Sequence, residues 1–225
     1  MFPYARSKFL SFLIENYNSN PLVKLYTDDL ARFVNNEIEN NRWEKQFYVC
    51  SSSPLEQYLK AIFKNLEKMM LSNVKDQTLK NLQGLVWKRG FEVGDLSCPL
   101  FEDVPEALRR WRSKGIKVYM YSSGSRYAQK LLLSHSMQGD VSLCIDGYFD
   151  VINSGLKTEK SSFFDIALTL GLYDKPSSIL FYTDTLSEYY AATEAGWQAR
   201  WIYRLGNKRE ENSPNRPSQV ESLDY

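Results

Sequence analysis

The stretch Ile116-Lys117-Val118-Tyr119-Met120-Tyr121-Ser122-Ser123-Gly124-Ser125 decides how this chain is read. Its first six residues are a short run of strand formers; its last four are small, hydroxyl-bearing or flexible, as in a turn. Just upstream, Asp103-Val104-Pro105-Glu106 reads as a helix start, with a capping acid, a proline in the first turn and a glutamate three residues on. Ala107, Leu108 and Trp111 continue that face until Gly115 ends it. Downstream, a helix runs through Ala128, Leu131 and Leu132, and a strand is expected near Tyr148 to Ile152. A further helix carries Phe163, Ile166, Ala167 and Leu170 on one face and stops at Gly171. Ile179 to Thr183 then reads as a buried strand, Leu186 to Ala195 as a helix, and Gln198 to Tyr203 as a final strand. Strands alternating with helices predict an α/β fold, a parallel sheet with helices on both faces.

Working back toward the start, the character changes. Leu55, Leu59, Ile62, Phe63, Leu66, Met69 and Met70 recur at helical spacing after Ser53-Pro54. Phe9, Leu10, Leu13 and Ile14 mark an earlier helix, and Val23 to Glu39 a second. No strand is expected before about residue 100, so 1–93 forms a helical region, 94–205 an α/β region, and 206–225 a polar, loosely ordered tail.

The totals exclude several functions. Basic residues number 28 and acidic residues 27, well mixed, so no charged face points to nucleic acid or an anionic membrane. No apolar run approaches the roughly 20 residues of a membrane span, and the start lacks the features of a signal peptide. Cys50, Cys98 and Cys144 are scattered and suit a reducing compartment. The single histidine, His135, rules out a multi-histidine zinc centre and reads as structural. Chemistry must therefore rest on carboxylates, hydroxyls and lysine.

Those groups stand at strand ends, where open α/β sheets bind ligands. Ser122, Ser123 and Gly124 end the first strand and lead into a helix, a place suited to phosphate. Lys157, in Ser154-Gly155-Leu156-Lys157-Thr158-Glu159, follows the next strand and could neutralise a phosphoryl group. Asp184 ends the strand after that, with Glu188 one turn on, and a carboxylate there suits magnesium. Each has a plainer reading: a turn, a solvated lysine, a helix cap. The order of hydroxyl, lysine and carboxylate at three successive strand ends is what favours phosphoryl chemistry.

The same order is that of the haloacid dehalogenase superfamily, and the likeness extends further. Tyr121-Ser122-Ser123-Gly124-Ser125 with Ala128-Gln129-Lys130-Leu131-Leu132, Ile145-Asp146-Gly147-Tyr148-Phe149-Asp150, Gly155-Leu156-Lys157-Thr158-Glu159 and Leu180-Phe181-Tyr182-Thr183-Asp184 closely resemble the enolase-phosphatase (acireductone synthase) family. Phe2-Pro3-Tyr4-Ala5, Leu82-Gln83-Gly84-Leu85-Val86-Trp87 and Leu205-Gly206-Asn207 are similar to its cap opening, its return to the core and its last motif. The resemblance implies a Rossmannoid parallel sheet with an all-helical cap in a cytoplasmic or nuclear monomer. It further implies that Ser122, Ser123, Gly124 and Lys157 bind the phosphate of a small substrate. Lys157 would serve as a catalytic group, and Asp184, supported by Glu188, would hold Mg2+. The implied reaction enolises and dephosphorylates 2,3-diketo-5-methylthiopentyl-1-phosphate to an acireductone through an aspartyl nucleophile, under a cap that excludes water.

One expected element is not in the sequence. The family's opening strand, ending in Asp-x-Glu-Gly-Thr and carrying the nucleophile, has no counterpart; Asp28-Asp29, Asp146 and Asp150 lack the required turn. That strand lies centrally in the family sheet, between the strands ending at Ser123 and Asp184. Without it, two inner edges with unpaired backbone groups and an open groove are expected. An incomplete start or truncated gene product accounts for this on the sequence reading. Two rival readings stand beside the leading one: a non-catalytic binder of a phosphorylated metabolite, and a different phosphatase of the same superfamily.

Overall fold

The computed structural model of the chain describes residues 2–72, 74, 76–204 and 218–223. The chain divides into two compact units, Met1–Ser97 and Cys98–Tyr225.

Among the described residues the first unit has four α-helices, α1 (Phe2–Asn16), α2 (Pro21–Glu39), α3 (Leu55–Leu71) and α4 (Gln77–Glu92), with a short 3-10 turn at Lys45–Phe47. Asn20 caps α2 by accepting the Leu22 and Val23 N–H groups, and Asp76 caps α4 by accepting that of Leu79. Most of the apolar stripes read from the sequence face inward, but Ile14 and Leu55 are exposed. Phe9, Leu13, Leu30, Leu59, Ile62, Leu66 and Met69 are all wholly buried, while Met70 is only partly so. Tyr17 and Tyr58 donate to Asp28 at 2.7 and 2.8 Å. Burial pushes the Asp28 carboxyl up, but the hydrogen bonds from Lys24 and both tyrosines outweigh it and hold it below the usual range.

The second unit alternates short strands with helices: α5 (Asp103–Ser113), β1 (Tyr119–Tyr121), α6 (Arg126–Ser134), β2 (Gly147–Phe149), α7 (Val151–Ser154), α8 (Lys160–Thr169), β3 (Leu180–Thr183), α9 (Leu186–Glu194), β4 (Gln198–Ile202) and β5 (Gln219–Val220). All pairings among the described residues are parallel, as predicted, but the strands form two sheets: β1–β2, and β3–β4–β5. Among the described residues, the inner strands β1 and β3 are therefore each paired to a strand on one side only. Among the described residues no strand pairs across the break. Helix side chains span it instead. Phe163 of α8 meets Tyr121 of β1 with centroids 5.9 Å apart and Phe181 of β3 at 5.2 Å. Trp111 of α5 stacks on Tyr182 of β3 at 5.8 Å.

Several local expectations change. The strand expected to run through Ile152 stops at Phe149, because the Asp150 side chain accepts the Ile152 and Asn153 N–H groups and turns the chain into α7. The run 179–183 is not buried as read: Leu180 is 40% exposed, where a central parallel strand would be covered on both faces. Asp103 does not cap α5; its carboxylate is taken by Arg204 and the Leu223 N–H. That capture also corrects the loose tail. Residues 205–217, including Leu205-Gly206-Asn207, lie outside the described residues, but Gln219–Val220 pairs with β4 and Leu223 is buried. Arg110 completes the clasp by donating to the Leu223 carbonyl at 2.9 Å. His135 sits exposed at the end of α6, its Nδ1 3.0 Å from the Leu131 carbonyl.

Candidate functional site

The chain leaves β1 at Ser122, whose N–H donates to the Phe149 carbonyl at 3.1 Å. The Ser122 hydroxyl accepts the Gly124 N–H at 3.1 Å, folding a tight turn, and Ser125 caps α6 by accepting the Ala128 N–H at 3.2 Å. Ser123 at the tip is exposed. A hydroxyl-rich turn running into a helix start places N–H groups and a positive dipole end toward a prospective anion.

After β2 and α7 comes Gly155, at φ +82°, a conformation glycine adopts at little cost. A side chain here would also meet the Ser162 hydroxyl at 2.5 Å. The Tyr121 hydroxyl donates to the Gly155 carbonyl at 2.9 Å, pinning the loop that delivers Lys157 to the end of β1. Burial pushes the Tyr121 phenol above its ordinary value, against a Ser162 hydrogen bond that lowers it, and the Glu188 charge adds to the rise. It therefore remains a neutral donor.

Lys157 Nζ lies 2.7 Å from Glu188 Oε1 and 2.9 Å from Oε2, with side chains 24% and 11% exposed. Thr183 at the end of β3 donates to the same Oε2 at 2.6 Å, and accepts the Thr185 N–H at 3.1 Å. Glu188 thus anchors the lysine to β3, whereas the sequence reading placed it behind a metal ligand. Asp184 is exposed; its carbonyl accepts from the Trp201 indole at 3.1 Å and its carboxylate from the Thr185 hydroxyl at 3.3 Å.

Lys157, Asp184 and Glu188 line one cavity of about 300 Å³, together with Tyr121 and Thr183. Phe101, Val104, Ile202 and Leu223 give it an apolar wall. Ser122, Ser123 and Gly124 do not line this cavity; they follow directly on Tyr121, which does. A hard cation such as magnesium takes about six oxygen ligands. Among the described residues no group of three or more His, Cys, Asp or Glu side chains could hold a metal, and the Glu188 carboxylate is engaged by Lys157 and Thr183. These residues alone do not make a magnesium site. Asp184 supplies one carboxylate toward one.

Sequence reasoning missed Tyr121, Thr183 and the partner of Glu188. The tyrosine was read as a strand former and as the first residue of a family-like stretch, without a role, and no motif announces a hydroxyl that crosses to a neighbouring loop. Among the described residues no helix is long and apolar enough to cross a membrane.

Comparison with known proteins places this geometry. The chain is 42% identical over 210 residues to a probable bifunctional methylthioribulose-1-phosphate dehydratase/enolase-phosphatase E1 of Physcomitrium patens, and 38% identical to its counterpart in Oryza sativa subsp. indica. Each match covers 92% of this chain but only 40% and 39% of those proteins, so the chain spans about two fifths of their length. The crystal structure of the UTR4 protein of Saccharomyces cerevisiae superposes with a TM-score of 0.67 at 27% identity, covering 92% of each chain. The expected relationship to enolase-phosphatases is met. The family model for haloacid dehalogenase-like hydrolase matches residues 17–196, and with that most of its length this chain belongs to the haloacid dehalogenase-like hydrolases.

Proposed function

We propose that this chain is the phosphate-holding part of an enolase-phosphatase of methionine salvage, acting on 2,3-diketo-5-methylthiopentyl-1-phosphate, and that alone it releases no phosphate. The observation that carries the reading is the cavity at the carboxyl ends of the strands, with the Lys157 ammonium held on Glu188 beside Asp184. The relatives' names support the substrate class. Lys157 neutralises the phosphate, the Ser122–Gly124 turn orients it, and Asp184 offers one oxygen to Mg2+, which would supply charge neutralisation. The helical unit supplies substrate selection.

The divided sheet supports the second half of the reading. A strand fitted between β1 and β3 would satisfy both open edges and end beside Lys157, where an attacking carboxylate is needed. The sequence contains no Asp-x-Glu-Gly-Thr to serve as that strand's end.

The experiment is a phosphate-release assay on the 225-residue chain, with and without magnesium, and on the same chain extended by an apolar strand ending in that motif. The expected result is no release from the first and Lys157-dependent release from the second. Turnover by the unextended chain that is lost in Asp184→Ala would overturn the incomplete-site reading. Saturable binding of the phosphorylated diketone with no turnover even after extension would favour a binding protein over an enzyme.

A further inference from the structure

Beyond its own serine hydroxyls, the turn Ser122–Arg126 is clamped by two buried residues to which no motif assigned a role. Gln129, on the first turns of α6, is 5% exposed. Its Nε2 donates to the Gly124 carbonyl at 3.0 Å and to the Phe149 carbonyl at 2.8 Å. Both partners are acceptors, so the orientation of the carboxamide is fixed by chemistry. Its Oε1 is buried without a hydrogen bond among the described residues, so the carboxamide is held by its two donated bonds alone.

Asp150, 4% exposed, works from the opposite side. Oδ1 accepts the Ile152 and Asn153 N–H groups and caps α7, while Oδ2 accepts the Arg126 N–H at 3.0 Å. The Ser122 N–H itself is bonded to the Phe149 carbonyl. Apart from the bond between Gln129 and the Gly124 carbonyl, these ties run to Phe149 or Asp150, the last residue of β2 and the one after it. The anion-facing turn after β1 is therefore shaped by the end of β2.

Resting on the reading of this turn as a phosphate holder, we propose that Gln129 and Asp150 are its positioning residues: they fix the Ser123–Gly124 backbone so that the Ser123 N–H faces the anion while the Gly124 N–H stays on the Ser122 hydroxyl. Gln129→Leu removes both donors at similar volume. Asp150→Ser keeps a capping hydroxyl for α7 but is too short to reach the Arg126 N–H.

The test is titration of the whole chain with inorganic phosphate, followed through the Ser123 and Gly124 amide resonances. The wild type should show a saturable shift. Each variant should weaken the affinity about tenfold, the scale of one or two lost hydrogen bonds, with the thermal midpoint within a few degrees of wild type. With Gln129→Glu and sulfate, an anion of constant charge, affinity should recover as pH falls, because the protonated carboxyl regains a donor. A structural role alone would not give that profile. If wild type binds and both variants bind equally well, the positioning inference is wrong while the phosphate reading stands. If wild type shows no shift at these amides, the phosphate reading of the turn fails and takes the inference with it.

Discussion

The helical unit and the α/β unit differ in how completely they close. Of the dozen largest wholly buried side chains among the described residues, every one except Phe163 lies in the helical unit. In the α/β unit, Tyr119 of β1 is 38% exposed and Leu180 of β3 is 40% exposed. The cause is where each element finds its hydrogen-bond partners. A helix satisfies its backbone internally, so four amphipathic helices close a core with whatever apolar faces they carry. A strand is satisfied only by its neighbours, so a sheet divides wherever a neighbour is lacking. The α/β unit compensates with aromatic contacts and polar side chains that reach from one strand end to another.

The sharpest way to break this comparison is Phe163→Ala. Phe163 touches Tyr121, Phe181 and Trp197, bridging both sheets, so its loss should destabilise the α/β unit by about 3–5 kcal/mol. Urea unfolding followed by tryptophan fluorescence reads this, and a loss under about 1 kcal/mol would mean that the sheets are joined by other contacts. Glu188→Ala comes next. It leaves the Lys157 ammonium without its carboxylate partner and the Thr183 hydroxyl without its acceptor. Because the pair is not wholly buried, the expected cost is about 2 kcal/mol, below the range for fully buried pairs. Glu188→Gln should cost less, since a carbonyl oxygen can still accept. Equal losses would show that charge, not hydrogen bonding, dominates.

The smallest effect is acid sensitivity. The Val118 N–H, followed by Lys117, holds the Asp146 carboxyl below its ordinary value. Burial pushes Asp103 up, but the hydrogen bonds from Arg204 and the Leu223 N–H outweigh it and leave it lowered too. A carboxyl lowered on folding contributes stability that is present above its unfolded pKa, about 4, and lost as pH falls through the folded value. Melting temperature should therefore drop below about pH 4, and Asp103→Asn should flatten that drop. An unchanged slope in the variant would remove Asp103 from the account.

Much of the fold was legible because local chemistry wrote it. The helices of the first unit have apolar residues at helical spacing, and Gly115 and Gly171 stand just past the helices they were expected to end, both at positive φ. The parallel arrangement followed from strands alternating with helices. What failed to read depended on partners distant in sequence. Asp103 was expected as a cap because it begins a helix, yet residues about 100 to 120 positions away claim its carboxylate. Glu188 was placed behind a metal because it follows Asp184 by one turn, yet Lys157, 31 residues earlier, holds it. Gln129 and Asp150 were quoted within the family-like stretches, and Asp150 was set aside as a nucleophile, but neither was given a role, because a single glutamine on a helix and an aspartate after a strand have many ordinary uses.

The sequence by itself determined the helical unit, the order of strands and helices, and the run of hydroxyl, lysine and carboxylate at successive strand ends. Periodicity and capping act within a few residues and need no distant partner. Tertiary structure alone decided that helix aromatics rather than a strand bridge the divided sheet, that Glu188 belongs to Lys157, and that the end of β2 shapes the turn after β1. Those outcomes turn on which buried donor meets which acceptor across the fold, and on whether a strand edge finds a neighbour.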